Sequence, residues 1–348
     1  MAKESLRVLQ IGAGSMGQRR LRDLKDREDV ELALFELRAD RRDRGLSRNE
    51  KLRTFSDLDE ALAWGPDALS ISTPPQAHDE YVRLALERGV HHFCEANIWT
   101  MDPEWIEQLS ESQSVISAPS SSLYFLPAVQ EMSRIVRDEL GGLHGYQMAL
   151  NTYMPDWHPE EGPEYYARHR NTAAGREMVP FELLWLNHVF REPVELTGLV
   201  TRGGSLPGIM EDTWSLQMRL EGGIAGQLIV LMGCPGALRQ GWCFGEAGQV
   251  FFDLFSGEIR REYRKGVRDS RNFGAMKDVL EATYSREINT FIDAVHGKAR
   301  WPQSYRASAV ATATLAAAER SAELGERVSV DVGVQPKIHP DVHHGSAV

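Results

Sequence analysis

The sequence predicts an α/β protein of two domains, the first built on a parallel sheet and the second on a mainly antiparallel one. Three observations point there. At 348 residues the chain is longer than one ordinary hydrophobic core usually serves. Its first third alternates short apolar runs with helical-periodic stretches, which is how parallel βαβ units read in sequence. Its second half strings strand-like segments together with glycine turns between them, as antiparallel hairpins do. The boundaries expected on this reading are 1–122, 123–334 and a tail of 335–348, frayed from Pro336 onward.

Taken in order, residues 6–11 read as a buried strand that runs straight into Gly12-Ala13-Gly14-Ser15-Met16-Gly17 and then into a basic, amphipathic stretch over 18–27. A second strand spans 30–36. A third, 68–72, stops at Thr73-Pro74-Pro75, because proline offers no ladder donor. Helical spacing over 81–88 precedes a fourth strand at 90–94. A long helix over 127–140 ends at Gly141-Gly142. Strands at 214–220, 226–232, 249–255 and 258–263 are punctuated by Glu221-Gly222-Gly223 and Ser256-Gly257. An alanine-rich helix over 307–324, closed by Gly325, leads into a last strand at 328–332.

Composition narrows the function classes. With 42% hydrophobic and 26% charged residues the chain has the makeup of a packed globular protein. A net charge of -11 argues against nucleic acid and anionic membrane surfaces, which call for basic patches. Cys94, Cys234 and Cys243 form no C-x-x-C pair and leave one thiol over in any disulfide scheme, so a cytoplasmic location is expected. No apolar run approaches the roughly 18 residues of a membrane span, and the N-terminus shows no signal-peptide core. His339, His343 and His344 lack the spacing of a closed zinc site, and no metal is expected. Small soluble partners remain.

The glycine motif gives those partners a chemistry. Between a strand and a helix, Gly12 permits the tight turn, Gly14 lets backbone approach a pyrophosphate, and Gly17 lets helix pack on strand, leaving the helix N-terminus to face the negative charge. Ser15 and Met16 complete the turn. Glu36 ends the second strand 19 residues past Gly17, where an acid accepts hydrogen bonds from the adenosine ribose hydroxyls. The expected cofactor is NAD. Arg38, Arg41 and Arg42 follow Glu36 and keep NADP open as the alternative, since any of them is of the type that pairs with a 2′-phosphate.

The stretch Ser72-Thr73-Pro74-Pro75-Gln76-Ala77-His78, followed by Ala85-Leu86-Glu87-Arg88-Gly89-Val90-His91-His92-Phe93-Cys94-Glu95, resembles the Gfo/Idh/MocA family of NAD(P)-dependent, mostly carbohydrate-directed oxidoreductases. Gly141-Gly142-Leu143-His144-Gly145, Glu192-Pro193 and 321–328 extend the resemblance over nearly the whole chain. Tyr153-Met154-Pro155-Asp156-Trp157-His158-Pro159, with Tyr165 and Tyr166, resembles members linked to sugar or polysaccharide biosynthesis. The resemblance implies a Rossmann domain followed by an α/β domain whose open antiparallel sheet joins copies into a homodimer or homotetramer. It implies cofactor contacts from Ser72, Thr73, Pro74, His78, Glu95, Ala96 and Asn97, and substrate contacts from Asp156, Trp157, Tyr165, Phe181 and Glu182.

The chemistry departs from the family at two points. Where the family has Glu-Lys-Pro, this chain reads Glu95-Ala96-Asn97, and where its helix carries an Asp and a His four residues apart, this chain has Glu177 and Phe181. Moving a hydride to or from a secondary alcohol needs a group that takes or gives the hydroxyl proton. None of the seven lysines falls between Lys51 and Lys265, so no lysine near in sequence replaces the absent one. The candidates are Glu177, Tyr153 and His158, with Glu182 behind them. His188 shares a helix face with Glu177 but lies about 16 Å further along the axis. The leading expectation is an NAD(P)-dependent oxidoreductase acting on a sugar or polyol. Two alternatives are a dinucleotide-binding protein without redox turnover, suggested by Ala96 and Phe181, and a reductase of an imine or another flatter ligand, suggested by Met178, Phe181 and Trp185.

Overall fold

The computed structural model describes residues 5–96, 102–156, 170–172, 174–203, 211–264, 266 and 268–337. The chain forms two compact units, one of Met1–Phe125 and Leu280–Ser308, the other of Leu126–Val279 and Ala309–Val348.

The first unit opens with β1 (Leu6–Ile11), α1 (Ser15–Leu24), β2 (Val30–Phe35), α2 (Ala39–Arg48), β3 (Arg53–Phe55) and α3 (Leu58–Ala63). It continues with β4 (Ala68–Ile71), α4 (His78–Glu87), β5 (His91–Cys94), α5 (Pro103–Gln113) and β6 (Ser117–Pro119). The six strands lie in the order β3-β2-β1-β4-β5-β6, and all their pairings are parallel. The order reverses between β1 and β4, so the carboxyl ends of those strands flank a crevice of the kind where open α/β sheets take ligands. Successive residues point to opposite faces. Leu9, Ile11, Ala33, Phe35, Leu69 and Ile71 pack with Val82, Ala85, Leu86 and Ile106 on one side. On the other, Val8, Leu32, Leu34, Ala68 and Phe93 pack with Leu21 and Leu24.

That second face corrects the expected boundary. A cut after residue 122 would leave it half covered, because Ile288, Phe291 and Ile292 complete the same core. Residues 280–308 therefore return to the first unit, a long-range closure that local periodicity does not reveal.

The second unit contains α6 (Pro127–Asp138), β7 (Leu143–Thr152), α7 (Ala174–Phe190), β8 (Pro193–Thr201), β9 (Thr213–Leu220), β10 (Ala225–Leu231) and β11 (Ala237–Gly245). β12 (Gly248–Asp253), β13 (Glu258–Tyr263) and β14 (Arg268–Asn272) follow, then α8 (Met276–Val295), which passes into the first unit at Leu280. α9 (Tyr305–Leu324) and β15 (Val328–Ser329) close the described chain in the second unit from Ala309 onward. The sheet runs β14-β13-β12-β11-β7-β10-β9-β8-β15, antiparallel at every pairing except β7 with β10. Its two faces differ. Trp214, Leu216, Met218, Leu220, Leu228 and Val230 are buried, whereas Gln217, Arg219 and Gln227 between them are exposed. On the outward rows Phe251 pairs with Trp242, and Arg260 lies 4.6 Å from the Phe251 ring centroid and 5.4 Å from that of Trp242. Ile229 and Leu231 are half-buried on the same face. Phe255 lies beyond the end of β12, with Arg239 of the buried face 5.6 Å from its ring.

Two histidines of the first unit make its stability depend on pH. Burial lowers the pKa of His78 to about 4, against the opposing hydrogen bond to the Thr73 carbonyl, and burial also takes His92 to about 4. Both are neutral in the fold, while in the unfolded chain they protonate near pH 6.5. Stability is then complete above about pH 6.5 and falls as the pH drops toward about 4, by roughly 1.4 kcal/mol per pH unit for each proton. His92→Gln should remove about one proton from the slope of urea-unfolding free energy against pH in that window. An unchanged slope would show that His92 is not held neutral.

Candidate functional site

The glycine turn is built as its spacing requires. Gly12 takes φ +84°, open to glycine at little cost, and its N–H donates to the Phe35 carbonyl at 2.9 Å. A Cβ on Gly17 would lie 2.1 Å from the Gly12 carbonyl oxygen, so only glycine lets α1 start this close to the turn. Gly14 differs. Its backbone is extended, and a Cβ there would meet only Arg41 Nη1, at 3.9 Å. No side chain caps α1 at Gly14. The turn thus leaves space beside Gly14 and uncapped N–H groups behind it, the cradle that a pyrophosphate occupies.

Glu36, just past β2, is buried, and its carboxylate holds the turn: Oε2 accepts the Ala13 N–H at 2.8 Å and Oε1 accepts the Arg38 N–H at 3.0 Å. A carboxylate offers about four acceptor positions, so two remain for ribose hydroxyls. Ser72, Thr73 and Pro74 follow β4 beside the turn. The Ser72 N–H donates to the Ile11 carbonyl at 2.8 Å, and the Thr73 methyl would lie 3.3 Å from a Cβ on Gly12. His78 is buried at the start of α4, with Nε2 2.9 Å from the Thr73 carbonyl. Ser15 Oγ accepts from Arg19 Nη1 at 2.6 Å, and Met16 is the next residue of the first helical turn. These residues fit a dinucleotide.

A buried ionic network that the sequence did not reveal holds the end of β5. Arg20, on α1, has no exposed side-chain surface. Its Nε and Nη2 donate to the two oxygens of Glu95 at 2.8 and 3.1 Å, and Nη2 also donates to Glu287 Oε2 at 2.7 Å. Ser72 Oγ adds a bond to Glu95 at 3.2 Å. Glu287 accepts from the Ser120 and Ser122 hydroxyls and from the Ser121 N–H, each at 2.8 Å. Burial opposes the Arg20 charge, but the two carboxylates outweigh it and raise its pKa. Glu95, expected at the cofactor, is thus engaged in fixing β5, and Ala96 follows it. Asn97 lies outside the described residues. The signal available in sequence was Arg20 on the buried side of an amphipathic helix, whose charge demands a partner.

The remaining candidates belong to the second unit. Glu177 is half-buried in the first turn of α7, and Phe181, one turn on, is half-buried too. Tyr153 follows β7 and is half-buried, and its carbonyl accepts the N–H of exposed Asp156 at 3.0 Å. Glu182 is a correction. It has no exposed surface, lies 2.7 Å from Arg239 and accepts the Trp185 indole N–H at 2.8 Å, so its carboxylate serves the core of this unit and not a surface that meets substrate. His188, in the last turn of α7, is exposed. His158, Trp157 and Tyr165 lie outside the described residues, as do the terminal histidines. Among the described residues no group of His, Cys, Asp or Glu is placed to hold a metal ion, and no helix is long and apolar enough to cross a membrane.

Gly14→Leu should leave folding intact, because the space beside it is open, yet abolish dinucleotide binding by filling the cradle. Calorimetric titration checks this, and unchanged affinity would disprove the assignment.

Residues 6–113 match the Gfo/Idh/MocA family, described as an oxidoreductase family with an NAD-binding Rossmann fold. No curated protein matches the chain. Solved structures resemble it over almost its full length. GenD2 from gentamicin A biosynthesis, in complex with NAD, is 20% identical, with 94% of this chain and 97% of that one covered at a TM-score of 0.77. A myo-inositol dehydrogenase from Corynebacterium glutamicum is 19% identical, with 94% and 99% covered at 0.74. The UDP-N-acetylglucosamine 3-dehydrogenase GnnA from Acidithiobacillus ferrooxidans is 17% identical, with 92% and 98% covered at 0.75. At these identities the likeness establishes the fold.

Proposed function

We propose, from the match of residues 6–113 to the NAD-binding Gfo/Idh/MocA oxidoreductase family, that the chain is an NAD-dependent dehydrogenase or reductase of a sugar or polyol. The observation that carries this reading is the glycine turn, with open space at Gly14 and a buried Glu36 carboxylate beside it. Support for the substrate class comes from the dehydrogenases of inositol and of a nucleotide sugar that share the fold.

In this reading Gly12, Gly14 and Gly17 shape the turn, the N–H groups at the start of α1 bind the pyrophosphate, and Glu36 accepts from the ribose. Ser72, Thr73, Pro74 and His78 form the neighbouring wall, with Glu95 and Ala96 just past β5, and Asn97 is a further cofactor contact. The bound nicotinamide supplies or accepts a hydride. The chain's own task is the proton. Glu177 takes it from the substrate hydroxyl in oxidation and returns it in reduction, with Tyr153 and His158 as the alternative groups. Asp156, Trp157, Tyr165 and Phe181 bind substrate. A screen of sugars, polyols and nucleotide sugars for NAD-dependent change in nicotinamide absorbance tests the reading. Tight NAD binding without turnover on any of them would favour a binding protein, and turnover on imines alone would favour the other alternative.

The partner reading is a homodimer or homotetramer joined through the outward sheet face that carries Ile229, Leu231, Trp242 and Phe251, a patch whose burial would favour association. Sedimentation at micromolar concentration should show an oligomer that Trp242→Glu dissociates. A monomeric wild type would contradict it. The cytoplasm is the proposed location.

A further inference from the structure

The sequence offers three arginines after Glu36, and the structure separates them. Arg38 forks onto Asp40, donating from Nε and Nη2 to its two oxygens at 3.1 and 2.9 Å. Arg42 is turned back on the chain, with Nη1 donating to the carbonyls of Glu36 and Leu37 at 2.6 and 2.8 Å. Arg41 reaches the glycine turn instead. Its Nη1 lies 3.7 Å from Glu36 Oε2 and 3.9 Å from where a Cβ on Gly14 would stand. Its side chain remains 36% exposed, whereas that of Glu36 is 8% exposed and tied down by two backbone N–H groups. One fixed carboxylate and one partly exposed guanidinium therefore share the spot where the turn after β1 meets the end of β2.

We propose that Arg41, and not Arg38 or Arg42, decides whether a 2′-phosphorylated adenosine is accepted at this site. The inference rests on the dinucleotide reading above. Glu36 favours a free ribose, by accepting from its hydroxyls, and repels a phosphate in the same place. Arg41 opposes that repulsion. Its single long contact with Glu36, on a partly exposed side chain, holds it weakly. Turning to a phosphate costs it little, and a guanidinium fork matches phosphate oxygens two at a time. Arg38 would have to leave both oxygens of Asp40, and Arg42 both backbone carbonyls. NAD preference is thus a balance struck between Glu36 and Arg41, and removing either side tips it.

Fluorescence titration with NADH and NADPH, which needs no substrate, reads this balance. Wild type should bind NADH more tightly. Arg41→Ala should weaken NADPH about fivefold or more and leave NADH within about threefold. Glu36→Ser should tighten NADPH about tenfold, and Glu36→Ser with Arg41→Ala should erase that gain, while Glu36→Ser with Arg38→Ala should keep it. A gain that survives loss of Arg41, or one that Arg38→Ala removes, would overturn the proposal. So would equal weakening of both cofactors by Arg41→Ala, a result that does not depend on whether Glu36→Ser folds. Wild type that binds neither NADH nor NADPH would instead overturn the dinucleotide reading on which the proposal rests.

Discussion

Glu177→Gln should lower turnover about 10²- to 10⁴-fold while dinucleotide affinity stays at the wild-type value. The amide keeps the shape and hydrogen-bonding reach of the carboxylate and deletes only its titration. The position is specific: Glu177 occupies the first turn of α7 and is half-buried, and the residue after Glu95 is Ala96 rather than a lysine that could share the proton work. Glu182, five residues on, is already consumed by Arg239 and Trp185. Ala96→Lys is the complementary variant. In an oxidoreductase that has lost the lysine it should restore some sugar-dependent reduction of NAD, whereas in a site with other chemistry it should only crowd the end of β5. Wild-type turnover in Glu177→Gln would move the assignment to Tyr153 or His158.

Arg20→Ala should destabilise the first unit by about 3–5 kcal/mol, the range for breaking a buried ion pair by removing one partner. Glu95 and Glu287 would be left facing each other without the guanidinium that bridges them. Arg20→Met should cost as much, because a side chain of similar length restores volume and not charge. Arg20→Met combined with Glu287→Gln should recover part of the loss, since the amide oxygen can still accept from Ser120 while the amide NH2 donates to the Ser122 hydroxyl oxygen, and one orphaned charge is gone. Urea unfolding of the single and double variants measures this, and an Arg20→Ala protein within about 1 kcal/mol of wild type would show that water enters the site and screens the carboxylates.

The parts legible in the sequence are those with a local cause. The turn at Gly12, Gly14 and Gly17 is fixed by steric demands within a few residues, so its spacing announced it. β1, β2 and β4 are short, mostly apolar segments because the parallel sheet buries both of their faces. The return of residues 280–308 was not legible, because Ile288, Phe291 and Ile292 meet Val8 and Phe93 only across long loops of chain. The parallel pairing of β7 with β10 escaped for the same reason: hairpin signals report neighbours in sequence, and β7 sits mid-sheet between β10 and β11. At the site, the family resemblance pointed to contacts from Glu182 and Glu95. Burial decided otherwise for Glu182, and gave Glu95 the task of holding Arg20. Sequence could not sort Arg38, Arg41 and Arg42, whose difference lies in which way each side chain turns.

Hydride transfer is the reaction proposed for this chain. Incubating the protein with reduced cofactor deuterated at the transferring position and a pool of oxidised sugars and polyols, then reading the pool by mass spectrometry, tests it most directly. One product of the pool should gain a single deuterium, at a rate that Glu177→Gln lowers and Gly14→Leu abolishes. A protein that binds the labelled cofactor and leaves every member of the pool unlabelled would contradict it.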